Sequence, residues 1–257
     1  MDGLSLRRRI ALDIARSMRK SQEEEHPLRQ LFWECTLRCN LRCQHCGSDC
    51  KQVAATPDMP KEDFFKVLDS IVAKTDPHKV FVIISGGEPT MRADLEECGK
   101  GIYSRGFPWG MVTNGFGMTA ERFSRLLGAG LHSMTVSLDG LEENHDWLRG
   151  REGSFTRAAE TIRMAVRSGI AFDVVTCVNR RNYSQLPQLK EFLIGLGLKE
   201  WRLFSIFPQG RAALNPDLQL PPEMFRGMLD FIKETRKEGR IKASYGCEGF
   251  LGPYEGD

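Results

Sequence analysis

Three cysteines, Cys39, Cys43 and Cys46, stand close together in the spacing C-x3-C-x2-C. This spacing lets one short loop present three sulfur atoms to a single metal centre. A cluster of four irons needs four ligands, so three cysteines would leave one iron open to a ligand from outside the chain. Because an open position on a redox cluster is a place for chemistry, the spacing indicates an enzyme.

Two other uses of these thiols compete with a cluster. Structural zinc usually takes two C-x2-C pairs, or one pair and two histidines; no second pair follows here, although Cys35 or Cys50 could complete a site of four thiolates. A disulfide framework is less consistent with five cysteines within sixteen residues of a 257-residue chain that has no recognisable secretory segment. The thiols alone therefore favour a cluster over zinc, and they leave Cys35 and Cys50 unassigned.

A second motif follows an unbroken apolar run. Residues 81–84 have the composition of a strand buried on both faces, and the run ends in Ser85-Gly86-Gly87-Glu88-Pro89. The two glycines let the backbone approach a ligand, and the glutamate adds a carboxylate beside bare amide groups. This combination suits an ammonium or an amino-acid head group better than a phosphate, although Gly-Gly-Glu-Pro is also a common turn.

Together the two motifs resemble those of the radical S-adenosylmethionine superfamily. Thr113-Asn114-Gly115, Ser137-Leu138-Asp139-Gly140 and Leu148-Arg149-Gly150 further resemble the branch of peptide and cofactor maturases that carry a C-terminal SPASM domain. The resemblance implies that the three cysteines bind a four-iron four-sulfur (4Fe-4S) cluster, whose fourth iron is chelated by the methionyl amino and carboxylate groups of S-adenosylmethionine. Reduction would then cleave the sulfonium to a 5′-deoxyadenosyl radical that abstracts hydrogen from a substrate.

The resemblance also implies partners. The expected substrate is a peptide, a protein or a peptide-derived small molecule, and the expected reductant is an electron donor such as a flavodoxin or a ferredoxin. Relatives that modify tetrapyrrole side chains by the same chemistry are the nearest alternative. A non-catalytic iron-sulfur or zinc protein is an alternative of a different class, and no residue is assigned as catalytic.

The family pattern suggests which residues bind the cofactor. Gly86, Gly87 and Glu88 match the segment that holds the methionyl ammonium. His45, just before the third cysteine, stands where relatives often place an aromatic residue near adenine. A loop histidine that only faces solvent is an equally consistent interpretation.

Further candidates lie near the predicted ends of strands. Ser137 and Asp139 would point to one face and could bind the ribose hydroxyls or orient the methionyl head, although Leu-Asp-Gly is also a plain turn. The planar guanidinium of Arg149 suits the methionyl carboxylate, but a surface helix arginine is nearly as consistent with the sequence. Asn179 ends the fifth strand and shares a face with Cys177, for which a small buried core residue is the favoured interpretation.

Strands and helices alternate along the chain. Six predicted strands alternate with helices, which implies parallel pairing through right-handed crossovers and an α/β fold, a partial TIM barrel of (β/α)6 type. Apolar residues near helical spacing predict an N-terminal helix that packs on the outside of this domain: Leu4, Ile10, Ile14 and Met18. We divide the chain into an N-terminal helical extension (1–28), the core barrel (29–240) and the start of a truncated SPASM-like region (241–257), in which Cys247 would be an orphan ligand.

The motifs share one position relative to the strands. The thiol loop, Gly-Gly-Glu-Pro, Thr-Asn-Gly, Leu-Asp-Gly, Asn179 and the segment 208–211 each follow the carboxyl end of a predicted strand. Sites in barrels of alternating strand and helix are built at that rim. We therefore predict one pocket to which all six loops contribute.

Composition excludes several classes of protein. The 36 basic and 34 acidic residues give a net charge of +2, which argues against a dedicated nucleic-acid binder. No apolar stretch approaches the length of a transmembrane helix, so we expect no membrane insertion. Free thiols agree with a reducing compartment, and the cytoplasm is the expected location.

Overall fold

The protein folds around one parallel sheet. The computed structural model describes residues 5–246 and 251–254. Each strand pairs with the next along the chain, in the order β1 to β7. The strands are β1 (Gln30–Glu34), β2 (Phe81–Ser85), β3 (Trp109–Thr113), β4 (Leu131–Ser137), β5 (Ala171–Val178), β6 (Glu200–Ser205) and β7 (Lys242–Tyr245).

Helix α1 (Leu6–Glu25) precedes β1, and the other α-helices lie in the connections between the strands. They are α2 (Lys61–Val72), α3 (Leu95–Tyr103), α4 (Ala120–Gly128), α5 (Glu142–Arg149), α6 (Ser154–Ser168), α7 (Leu186–Gly195) and α8 (Pro222–Glu238). Parallel neighbours that follow one another in sequence need a crossover each time, and crossovers of one hand place the helices on one face of the sheet. Within the described residues no pairing joins β7 to β1, so the barrel is open.

The main apolar core lies between the sheet and the helices. In β2, Val82 and Ile84 are fully buried, and they share one continuous core with Phe64 and Leu68 of α2. Local sequence sets the helix boundaries: the Thr119 side chain accepts a hydrogen bond from the Arg122 amide and so begins α4. The single parallel sheet, with helices in its connections, confirms the predicted α/β partial barrel.

Among the described residues, one β-strand and one α-helix were not predicted from the sequence. The first is a seventh strand, β7, which pairs with β6 and lies within the range assigned to the C-terminal region. Its four residues carry too short an apolar pattern to be recognised in the sequence. The second is α5, whose sequence EENHDWLR is mostly polar. Cys247, the expected orphan ligand, lies outside the described residues.

The N-terminal helix does not pack as predicted. Ile10, Ile14 and Met18 are 51%, 55% and 58% exposed, so the apolar stripe of α1 does not lie against the domain. Leu4 lies outside the described residues. The correct prediction of a helix and the wrong prediction of its packing have the same source, because periodicity reports helical geometry but not the surface that the stripe meets. No helix in the described part of the chain combines the length and apolar character needed to span a bilayer.

A chain of hydrogen bonds ties three neighbouring strands together beneath the rim. The indole Nε1 of Trp201 donates to Thr176 Oγ1 at 2.8 Å, and that hydroxyl donates to the Leu138 carbonyl at 2.6 Å. All three residues are fully buried. Because buried polar atoms need partners, the tryptophan fixes the threonine hydroxyl and thereby the end of β4.

This chain of bonds predicts the effect of Trp201→Phe on stability. The change removes one buried hydrogen bond and leaves unfilled volume, so we expect the free energy of unfolding to fall by about 1–3 kcal/mol. Urea denaturation followed by circular dichroism measures the loss. Phe207→Leu is the matched control, because Phe207 is 77% exposed and a change there should stay within about 0.5 kcal/mol. Equal midpoints for the two variants would contradict this account of the strand ends.

Candidate cluster and cofactor site

The thiol loop follows β1 and closes on itself. The Cys39 amide donates to the Lys51 carbonyl at 2.8 Å, and Arg38 and Lys51 form an isolated parallel bridge. The side chains of Cys39, Cys43 and Cys50 pack in one small cluster with Leu41, and Cys46 lies against it. The three predicted ligands therefore converge on one place.

The surroundings of the sulfurs fit a metal-bound thiolate. Arg149 Nη1 lies 3.7 Å from Cys43 Sγ, and Asn114 Nδ2 lies 3.8 Å from Cys39 Sγ, so both sulfurs face N–H donors. Burial raises the pKa of the Cys39 thiol to about 12 and also raises the pKa of Cys43. Buried thiols of this kind keep their protons at neutral pH until a metal replaces them. Together with the partly buried Cys46, these two thiols form a donor set in one loop that fits a 4Fe-4S cluster.

The glycines after β2 lie directly against the thiol loop. The Gly87 amide donates to the Thr36 carbonyl at 2.8 Å, and the Glu88 amide donates to the Arg38 carbonyl at 2.9 Å. A Cβ atom at Gly86 would lie 2.2 Å from the Thr36 carbonyl oxygen, and one at Gly87 would lie 2.2 Å from the Arg38 carbonyl oxygen. Gly86 also has a φ of +129°, which side-chain-bearing residues rarely adopt. Only glycine fits both positions.

Glu88 is buried and held in place by the ends of β2 and β3. Its Oε1 accepts from the Thr90 amide, the Thr90 hydroxyl and the Thr113 hydroxyl, at 3.1, 2.8 and 2.7 Å. Its Oε2 accepts from the Asn114 amide at 2.7 Å. Burial raises the pKa of this carboxyl, and the four donors oppose that shift. Oε2, with a single donor among the described residues, keeps capacity for a further one.

A buried ion pair stands on the other side of the thiols. Arg149 Nε donates to Asp139 Oδ2 at 2.5 Å, and the Cys177 amide donates to Asp139 Oδ1 at 2.8 Å. Although burial alone would raise the pKa of Asp139, the guanidinium holds it below its usual range. Arg149 lies at the end of α5 but is buried, so the interpretation of a surface helix arginine is wrong. The guanidinium of this ion pair therefore lies beside the Cys43 sulfur.

One cavity of about 250 Å³ joins most of these groups. Its walls include the four loop thiols, residues 85–88, residues 112–114, and the side chains of His45, Ser137, Arg149 and Arg211. Asp139 and Asn179 do not line it. Instead, Asn179 Oδ1 accepts from the Arg181 and Asn182 amides, at 2.9 and 3.2 Å, and so shapes its own turn. The prediction that all six loops line one pocket is therefore wrong for the loop after β5, whose polar groups bind one another. It is also wrong for Leu-Asp-Gly after β4, where only the last strand residue, Ser137, lines the cavity.

The remaining cysteines and His45 fall into separate surroundings. Cys35 and Cys98 are buried in the main apolar core rather than with the loop thiols. His45 lines the cavity rather than facing open solvent, and its Nδ1 has no hydrogen-bond partner among the described residues. Ligand atoms of His45, Asp139 and Cys177 lie within 4.8 Å of one another. Since Asp139 is already paired with Arg149, we interpret this trio as a cluster beside the cavity, to which only His45 contributes a lining side chain, and not as a second metal site.

The sequence analysis did not identify the role of Arg211. Its amide donates to the Cys46 carbonyl at 2.9 Å, and its Nε donates to the Cys43 carbonyl at 2.7 Å. Its Nη1 reaches the Cys50 carbonyl and the Asp49 carboxylate, at 3.0 and 2.7 Å. One arginine thus holds the second half of the thiol loop. The signal for it was its position just past the end of β6.

The glycine contacts predict the effect of Gly87→Ala on metal binding. Because the added Cβ meets a backbone carbonyl that cannot move without shifting the thiol loop, we expect cluster retention to weaken roughly 10- to 100-fold, the range for changes just outside metal ligands. Iron and sulfide per folded chain, measured after anaerobic reconstitution and a chelator challenge, test this. Gly128→Ala is the matched control, since nothing lies within 4 Å of its added Cβ. Wild-type iron retention in Gly87→Ala would contradict the account.

Comparisons with known proteins agree with this geometry. Residues 33–193 match the model of the Radical SAM superfamily. An AdoMet-dependent heme synthase of Methanosarcina barkeri is 28% identical over 85% of this chain and 62% of its own length. An Fe-coproporphyrin III synthase of the same organism is 31% identical over 80% of this chain and 51% of its own length. The chain therefore spans between half and two thirds of the length of these relatives.

The solved structures show the same fold. Streptococcus suis SuiB bound to S-adenosylmethionine superposes with a TM-score of 0.70 at 15% identity, over 98% of this chain and 58% of SuiB. SuiB bound to the precursor peptide SuiA gives a TM-score of 0.68 at 17% identity, over 92% of this chain and 54% of SuiB. With a family match that covers more than half of its residues, this chain belongs to the radical S-adenosylmethionine superfamily.

Proposed function

We propose that this chain binds a 4Fe-4S cluster and S-adenosylmethionine, and cleaves S-adenosylmethionine reductively to a 5′-deoxyadenosyl radical that abstracts hydrogen from a substrate. The observation that carries the proposal is the convergence of Cys39, Cys43 and Cys46 at a cavity that the Gly-Gly-Glu segment also lines. The three thiols would bind three irons of a cluster and leave the fourth for a ligand from outside the chain. A zinc site closed by four ligands would have no use for that cavity.

Different residues around the cavity would contact different parts of S-adenosylmethionine. The reduced cluster, when bound, supplies the electron that cleaves the sulfonium. Glu88 Oε2 would accept an N–H of the methionyl amino group, for which it has both the charge and the free acceptor capacity. Gly86 and Gly87 let this wall pack directly on the backbone of the thiol loop. Ser137 and His45 line the space that remains for the nucleoside.

Arg149 and Asp139 act as a unit. A guanidinium has five N–H donors, and Arg149 uses Nε for Asp139 while Nη1 faces Cys43 Sγ. The remaining donors are available to the methionyl carboxylate. Asp139 is a positioning residue, because it reaches the cavity through Arg149, and Asn179 supports it indirectly through the turn that contains Asn182.

For the substrate, we propose a peptide or peptide-derived molecule. The support is that SuiB, whose fold this chain shares, has been solved with its precursor peptide. A tetrapyrrole is the second candidate, because the heme synthase and the Fe-coproporphyrin III synthase are more similar in sequence to this chain than SuiB is. An electron donor of the flavodoxin or ferredoxin type and a cytoplasmic location would suit the reducible cluster.

The proposed cleavage is tested by product formation. The chain, reconstituted anaerobically with iron and sulfide and reduced with dithionite, is expected to convert S-adenosylmethionine to 5′-deoxyadenosine and methionine. Adding an iron-coproporphyrin or a cysteine-containing peptide, each labelled with deuterium, should transfer deuterium into 5′-deoxyadenosine for one of them and so identify the substrate class. A cluster-replete sample that forms no 5′-deoxyadenosine, or a sample that holds stoichiometric zinc, would contradict the proposal.

The role of Glu88 predicts a specific kinetic change. Glu88→Gln removes a hydrogen bond between the carboxylate and the methionyl amino group, worth about 1.5–3 kcal/mol, so the KM for S-adenosylmethionine should rise on the order of tenfold or more. Iron content is measured alongside, because Asn114 contacts both Glu88 and Cys39. Glu97→Gln, at an exposed position on α3, is the matched control and should leave the KM unchanged. An unaltered KM in an iron-replete Glu88→Gln variant would argue against this role.

A further inference from the structure

A fourth cysteine lies among the three predicted ligands. Cys50 is 4% exposed and belongs to the same buried cluster as Cys39 and Cys43, with Cys46 against it. It also lines the cavity that holds Glu88 and the two glycines. The other buried cysteines differ, because Cys35 and Cys98 pack among apolar side chains of the main core. Cys50 therefore shares its cluster with the three predicted ligands, whereas Cys35 and Cys98 belong to the main core.

The loop is built so that its end returns to the thiols. Asp49, just before Cys50, has a φ of +48°, in a region that residues other than glycine seldom occupy. Arg211 holds this turn from outside, through the Asp49 carboxylate and the Cys50 carbonyl. The Lys51 carbonyl then accepts from the Cys39 amide and closes the loop. Backbone in an unfavourable region persists where the surroundings enforce it, so the position of Cys50 is specified and not incidental.

We propose that Cys50 is a fourth cysteine ligand, which occupies the open iron of the cluster until S-adenosylmethionine displaces it. The inference rests on the proposed function, since it needs the cluster held by Cys39, Cys43 and Cys46. It assigns Cys50 a task that packing does not require: a closed coordination shell protects the cluster while no cofactor is bound, and the cavity beside Cys50 gives the cofactor a route to the iron.

The exchange balances in protons and charge. The methionyl ammonium must lose a proton before its nitrogen can bind iron. Cys50, bound as a thiolate, needs a proton when it leaves. One proton would therefore pass from the entering amino group to the departing Cys50 thiolate, one iron–sulfur bond would break as one iron–nitrogen bond forms, and the oxidation state of the cluster would not change.

Spectroscopy of the cluster without any turnover tests the proposal. Wild type, Cys50→Ala and the isosteric Cys50→Ser are reconstituted with ⁵⁷Fe and compared by Mössbauer spectroscopy in the absence of S-adenosylmethionine. Cys98→Ala is the matched control, because it removes a buried thiol distant from the loop cluster. Circular dichroism and iron content establish that each variant is folded and loaded.

We expect wild type and Cys98→Ala to show four irons with sulfur-only coordination. Cys50→Ala should show one distinct iron, and it should convert faster to a three-iron cluster under ferricyanide, seen by electron paramagnetic resonance. If Cys50 occupies the iron in nine of ten molecules, its removal should tighten the apparent Kd for S-adenosylmethionine on the order of tenfold.

Two results would overturn the proposal. One is identical Mössbauer spectra, oxidation rates and Kd values for wild type and Cys50→Ala. The other is a single zinc bound by four thiolates in the wild type. Formation of 5′-deoxyadenosine by the wild type distinguishes a failure of the Cys50 proposal from a failure of the proposed function. If 5′-deoxyadenosine forms while the spectra are identical, the Cys50 proposal fails and the proposed function stands.

Discussion

The site depends on how the strand ends hold a loop that has almost no secondary structure of its own. Three segments contact the backbone of the thiol loop directly. Gly87 and Glu88 hold residues 36–38, the Leu148 carbonyl accepts from the Gln44 amide, and Arg211 holds the carbonyls of Cys43 and Cys50. Buried backbone groups must find partners, and here they find them on elements far apart in sequence. The positions of the sulfurs are therefore set by the whole barrel and not by the loop alone.

Much of the fold was predictable, because the strongest sequence signals coincide with the elements that carry the sheet. Buried runs such as residues 81–84 predicted strands, and helical spacing predicted the helices that alternate with them. β7 and α5 were not predicted, since a strand of four residues and a mostly polar helix lack a periodic pattern. The packing of α1 was predicted wrongly because periodicity does not reveal what covers an apolar face.

The candidate site was predictable in its ligands and less so in its supports. The cysteine spacing, and the rule that sites in such barrels form at the carboxyl ends of the strands, predicted that the three cysteines, Glu88 and Ser137 would lie at one cavity. The rule could not tell that Asn179 turns back on its own loop, or that Asp139 faces Arg149 instead of the cavity. Those outcomes depend on hydrogen-bond partners supplied by distant segments. Arg211 was predicted to lie on the correct rim, but the sequence does not show that its side chain contacts the thiol loop.

The central claim is that three cysteines leave one iron accessible to the amino group of S-adenosylmethionine. Electron–nuclear double resonance of the reduced, cluster-loaded protein with ¹⁵N-labelled methionyl nitrogen measures this contact directly. The account predicts a ¹⁵N hyperfine coupling to the cluster that is absent with unlabelled S-adenosylmethionine. A saturated, cluster-replete sample without such a coupling would contradict it.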